Sequence, residues 1–174
     1  MNRTWLFAGL GLVVLAVLGR VLPHAANVTP LYAVALFACA YFPRRWALAV
    51  PVAAMVASDL IIGLHSTVAF TWSGMFVFAL LGFLRRGRRF GLSVVVAAGA
   101  GSVAFFAWTN FGVWLTSGMY PHTVSGLVTC YTLALPFLRN SLLGDVAFSG
   151  ALFAAYEWYR LRRQSRLPVA AAVR

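Results

Sequence analysis

Apolar residues run almost unbroken along this chain, and the polar residues that interrupt them gather in short clusters. A run over residues 5–22 is followed by a polar turn at 23–27. Thr29-Pro30 opens a second helix, with Pro tolerated in the first turn. That helix ends before Pro43-Arg44-Arg45. Further runs cover 46–63, 68–84, 90–116 and 140–159. Most approach the ~20 apolar residues that a membrane-crossing helix needs. The second helix, at about 14 residues, is short for that span. Residues 124–137 are also apolar, but as a helix they reach only ~21 Å. Pro136 bends or ends that segment. Rows of small residues, Ala49/Ala53/Ala57 and Ala97/Gly101 with Ala100 and Ala104, predict faces where helices approach closely.

The pattern predicts an all-α integral membrane protein with six transmembrane helices and a short extra helix or lid between helices five and six. Composition agrees. The chain is 62% hydrophobic and 10% charged, with a mean hydropathy of +0.86. A soluble fold of 174 residues leaves too much surface exposed to hide that much apolar area. One domain over 1–166 fits the length, with a disordered tail at 167–174. A cleaved signal peptide is the rival reading of the first run, and Arg20 and His24 count against it.

Charge then orients the bundle. The net charge of +11 comes entirely from Arg. Arg3, Arg44, Arg45, the cluster at 85–89 and the C-terminal cluster share one side if six helices cross. His24, His65 and His122 fall on the other. This satisfies the positive-inside rule with both termini cytoplasmic. It also removes nucleic acid as a partner, since no nucleic-acid-binding motif accompanies the charge. A seventh crossing at 124–137 would invert the C-terminal cluster. That segment is therefore re-entrant, or lies over the outer face, or forms the bent first part of helix six.

Candidate chemistry concentrates between Trp108 and Asp145 and in the outer turns. Asp59 and Asp145 near the outer ends of helices are costly unless paired or hydrated. Each is either a polar anchor for a ligand or a partner for Arg20 or Arg139. Arg139 is equally a grip for an anionic group or a snorkelling side chain. Asn110 interrupts an aromatic run, and a buried amide wants partners. Trp108, Tyr120 and Tyr131 suit flat organic ligands. Three His side chains in outer turns read as polar lining before they read as metal ligands. Cys39 and Cys130 read as packed thiols. Glu157 reads as an i,i+3 ion-pair partner. No nucleotide loop, HExxH or GxSxG is present, so neither an enzyme nor a cofactor is expected.

Several segments carry a resemblance: Asn27-Val-Thr-Pro30, Asp59-Leu-Ile-Ile-Gly63-Leu-His65, Trp108-Thr-Asn-Phe-Gly-Val-Trp114, Gly126-Leu-Val-Thr-Cys-Tyr131, and Pro136-Phe-Leu-Arg-Asn140 with Gly144-Asp145. Over residues 27–153 the chain resembles an uncharacterised family of small bacterial membrane proteins described as transport proteins. More loosely, it is similar to the S components of energy-coupling-factor (ECF) vitamin transporters. The resemblance implies six helices and a pocket near the outer face, drawing on the turns that hold Asn27, His65 and His122. Helix one carries no AxxxA motif, which puts docking to an ECF-type energising module in doubt. Solitary S components, among them a cobalamin transporter family, are the nearer comparison. The expected function is capture and uptake of a small micronutrient. The expected substrate-binding residues are Asn27, Asp59, His65, Trp108, Asn110, Tyr120, His122, Tyr131, Arg139 and Asp145. The alternative is a non-transporting membrane scaffold similar to small cell-shape proteins.

Overall fold

The computed structural model describes residues 3–88 and 90–165. The expected tail at 167–174 lies outside them. All regular structure among the described residues is helical: α1 (Arg3–Val21), α2 (Leu31–Tyr41), α3 (Arg44–Ala47), α4 (Ala49–Ile62), α5 (Val68–Leu84), α6 (Leu92–Thr116) and α7 (Val124–Ser165). Only Leu48 separates α3 from α4, so the two act as one rod and the fold has six. Three rods are long and apolar enough to cross a membrane: α1, the α3–α4 pair and α6.

The short second helix is the core. In α2, Leu31 and every residue from Ala33 to Ala40 are buried, and α1, α4, α5 and α7 all pack on it. A helix surrounded on every side has no polar face, which explains its lack of periodicity. Its small side chains let neighbours come close. A Cβ on Gly82 of α5 would lie 2.4 Å from the Leu36 carbonyl oxygen and 2.8 Å from Cys39 Cβ. With 11 residues, α2 is only ~17 Å long. The longer helices around it therefore enclose space beyond its N-terminus.

Two sequence expectations change. Of the forms expected for residues 124–137, the structure takes the last and not the separate lid or re-entrant piece: they are the first third of α7, a continuous helix of 42 residues. Pro136 lies inside it and removes one backbone N–H without ending the helix. The α4 packing row is also displaced. Ala49 and Ala53 are exposed, and Val50, Ala54 and Ser58 face inward instead. The Ser58–Asp59 contacts to Arg20, described below, set that rotation.

The two ends of the bundle differ. Trp5 packs on Phe42, with ring centroids 4.8 Å apart. Tyr41 donates to Glu157 at 2.7 Å, and Glu157 pairs with Arg160 at 3.1 Å. Arg86 donates to the Phe42 carbonyl at 2.6 Å, satisfying an acceptor that the end of α2 leaves open. Arg85 lies over the Phe153 ring at 4.8 Å. Burial pulls both guanidinium groups below their ordinary range. The start of α1 and the end of α7 thus share the arginine-rich end. Replacing Tyr41 with Phe there should cost about 1.5–3 kcal/mol, the range for a hydrogen bond to a charged group. Thermal unfolding of the detergent-solubilised protein measures it.

Candidate functional site

At the opposite end, beyond the first turn of α2, the helices enclose a cavity of about 650 Å³. That volume falls in the usual range for small-molecule sites. Thr29 and Tyr32 line it at the start of α2, Phe105, Thr109, Asn110 and Val113 on α6, and Cys130, Leu133, Ala134, Phe137 and Ser141 on α7. Ile62 ends α4 against it, and His24, Asn27, His65, Met119 and Tyr120 come from the three connections at this end.

One flank is pinned by a buried ion pair. Arg20, in the last turn of α1, reaches Asp59 Oδ1 on α4 at 2.7 Å, a charge contact without aligned hydrogen-bond geometry. The same nitrogen, Nη1, donates to Ser58 Oγ at 2.5 Å and lies 3.3 Å from Met55 Sδ. Trp72 of α5 donates to Asp59 Oδ2 at 2.6 Å. Three helices thereby meet on one carboxylate that is 1% exposed. Arg20 also faces the cavity. So does the N-terminal end of α2, whose first-turn N–H groups have no intrahelical acceptor and carry the positive end of the helix dipole. No carboxylate lines the cavity.

Polar groups of the lining divide by whether the protein already uses them. Thr71 donates to Thr67 O at 3.2 Å and Thr109 to Phe105 O at 2.8 Å, so both hydroxyls are spent on their own helices. Asn110 Nδ2 donates to Phe106 O at 2.9 Å, which leaves its Oδ1 as an acceptor. Cys130 Sγ sits 3.5 Å from the Asn110 carbonyl. His24 contacts Leu22 O at 2.6 Å, and His65 contacts Thr67 Oγ1 at 2.9 Å. Each His is thus held within its own turn. Among the described residues no three His, Cys, Asp or Glu side chains converge as a metal site.

Of the residues singled out in the sequence, Asn27, His65, Asn110 and Tyr120 line the cavity. Asp59 does not line it; its carboxylate is buried against Arg20 and Trp72. Asp145 is also buried and accepts from Ser102 at 2.7 Å. Trp108 and Tyr131 sit in an outer groove with Phe111. There Trp108 donates to Ser73 at 2.8 Å and Tyr131 to Ala107 O at 2.5 Å, so both clamp α6 to its neighbours. His122 packs edge-on to Trp114 at 5.3 Å. Trp114 in turn donates to Pro121 O at 3.0 Å, closing the turn before α7. That turn needs Gly126, where a Cβ would lie 2.1 Å from the Pro121 oxygen. Arg139 is exposed on α7.

Sequence reasoning passed over Arg20, Tyr32 and Ser141 as lining residues. In the sequence Arg20 reads as a partner for Asp59 or Asp145 and as a residue that counts against a signal peptide. Tyr32 and Ser141 looked like ordinary helix residues, yet Ser141, Asp145 and Ser149 recur every four positions. That spacing puts them on one helix face. Neither a curated protein nor a solved structure matches the chain. A sequence profile described as a family of unknown function (DUF6580) matches residues 1–169, and the chain belongs to that family.

Proposed function

We propose that this is a membrane transport protein that captures a small micronutrient in the outer cavity and passes it inward, in the manner of a solitary S component. The observation that carries the reading is the 650 Å³ cavity, polar at one end of an otherwise apolar bundle. Supporting it, Arg20 and the α2 N-terminus favour an anionic or acceptor-rich group on the ligand. Phe105, Phe137 and Tyr120 suit a flat apolar body. The arginine-rich end supports six crossings of a bacterial inner membrane with cytoplasmic termini. Nothing on α1 supplies the small-residue motif for an ECF-type energising module. The scaffold alternative calls for a packed outer half and draws no support from a bundle hollowed there.

Mass spectrometry of small molecules that co-purify with the detergent-solubilised protein tests the reading. One bound compound is expected, in stoichiometric amount. Tyr32→Phe, Asn110→Ala and Ser141→Ala together should weaken its binding about 100-fold, since each lost hydrogen bond is worth about 1 kcal/mol. An empty wild-type protein whose cavity can be filled by Ser141→Trp without effect on uptake would sink it.

A further inference from the structure

A second polar site lies one helical turn from the cavity lining. Asp145 of α7 is 2% exposed. From α6, Ser102 donates to its Oδ2 at 2.7 Å and shares itself with Ala98 O at 3.0 Å. From α2, the titratable neighbour is Tyr32, which also feels Arg20 and Asp59. Arg20, the cation that acts on Tyr32, is committed to Asp59. Among the described residues no cation pairs with Asp145.

Two serines flank it on the same face of α7. Ser141, one turn toward the cavity, lines that cavity. Ser149, one turn the other way, is fully buried, and its Oγ has no hydrogen-bond partner. The next turn presents Phe153, fully buried and packed on Phe37 with centroids 5.3 Å apart. The polar line therefore opens to the cavity and is stopped by aromatic rings toward the arginine-rich end.

An isolated carboxylate in such surroundings is very costly, and it is neutralised by a proton or by an arriving cation. A hard metal cation wants about six oxygen ligands. Here α6 and α7 are unbroken helices, so their carbonyls are committed to intrahelical bonds. The side-chain oxygens of Asp145, Ser102, Ser141, Ser149 and Tyr32 remain, with a single carboxylate among them. We propose that Asp145 is a reversible proton-binding site, loaded from the cavity past Tyr32 and Ser141. On loading, a proton from cavity water bonds to Oδ1 while Ser102 keeps Oδ2, and the carboxylate becomes a neutral acid. On release the proton returns to water and no other bond changes. The proposal rests on the transport reading, to which it adds an energy source: inward movement of ligand coupled to a proton.

Infrared spectroscopy of the full-length protein in lipid vesicles tests it without the ligand. The chain has only three Asp and Glu residues, so carboxyl bands are few. A protonated-carboxyl C=O band is expected that shifts in deuterium oxide and disappears as pH is raised. It should be absent in Asp145→Asn, retained in Glu157→Gln, and moved in frequency by Ser102→Ala. The last variant assigns the band even if Asp145→Asn does not fold. The proposal is overturned by absence of the band at every pH, by its persistence in Asp145→Asn, by its indifference to Ser102→Ala, or by its loss on adding sodium at fixed pH. Failure of the transport reading shows separately, as a protein that purifies without a small molecule.

Discussion

Asp59→Ala should destabilise the bundle by about 3–5 kcal/mol, because it leaves the Arg20 guanidinium partly buried and unpaired. Arg20 has 15% of its side chain exposed and Asp59 2%, so water replaces little of what is lost. Trp72 Nε1 loses its acceptor in the same step. Arg20→Met combined with Asp59→Leu removes both charges and keeps volume. That double variant should recover most of the stability, since apolar replacement of a buried pair is often neutral or better. Thermal unfolding in detergent measures both. A single variant as stable as wild type would show that the pair does not hold α1, α4 and α5 together.

Gly82→Ala should cost about 1–3 kcal/mol, the usual range for overpacking a tight core. The added Cβ meets the Leu36 carbonyl and the Cys39 Cβ, neither of which is the free end of a flexible side chain. Relief requires α2 and α5 to separate, and that disturbs the helix on which α1, α4 and α7 are also packed. Gly82→Leu should prevent assembly. Gly11→Ala is the control: nothing lies within 4 Å of its added Cβ, and the substitution should be neutral or slightly stabilising through helix propensity. Comparing yields and unfolding temperatures of the three variants checks this.

The helical class and the positions of the rods were legible because long apolar runs broken by Arg or Pro clusters have few other physical meanings. The termini of α5 coincide with the run at 68–84. The role of α2 was not legible from its own residues. An 11-residue apolar helix reads as an inadequate span, and only its encirclement by longer helices makes it a core. The sequence left the join of 124–137 to helix six as one of three readings because of Pro136, whose cost is absorbed when neighbouring helices hold the chain on both sides. Of the residues expected to bind a ligand, Asn27, His65, Asn110 and Tyr120 line the cavity, and they stand out in the sequence as polar residues in turns and aromatic runs. Trp108 and Tyr131 look identical in sequence terms, yet helix rotation turns them to the outer groove. Rotation is set by contacts such as Arg20–Asp59, which join residues far apart in the chain.

The length of α7 has a mechanical meaning. At 42 residues it is ~63 Å long, about twice the thickness of a bilayer's hydrocarbon layer. Placed across a bilayer it would project beyond that layer at one end or both, or lean steeply. Pro136 divides it unequally, at a point where one rung of the hydrogen-bond ladder is missing. The shorter arm, 124–135, is a lever of ~18 Å, and a swing of about 10° at the proline carries its tip ~3 Å. That arm bears Cys130, Leu133 and Ala134 of the cavity wall, while the longer arm bears Asp145 and Glu157. A pivot between them would let that part of the wall move without dragging the two carboxylates along.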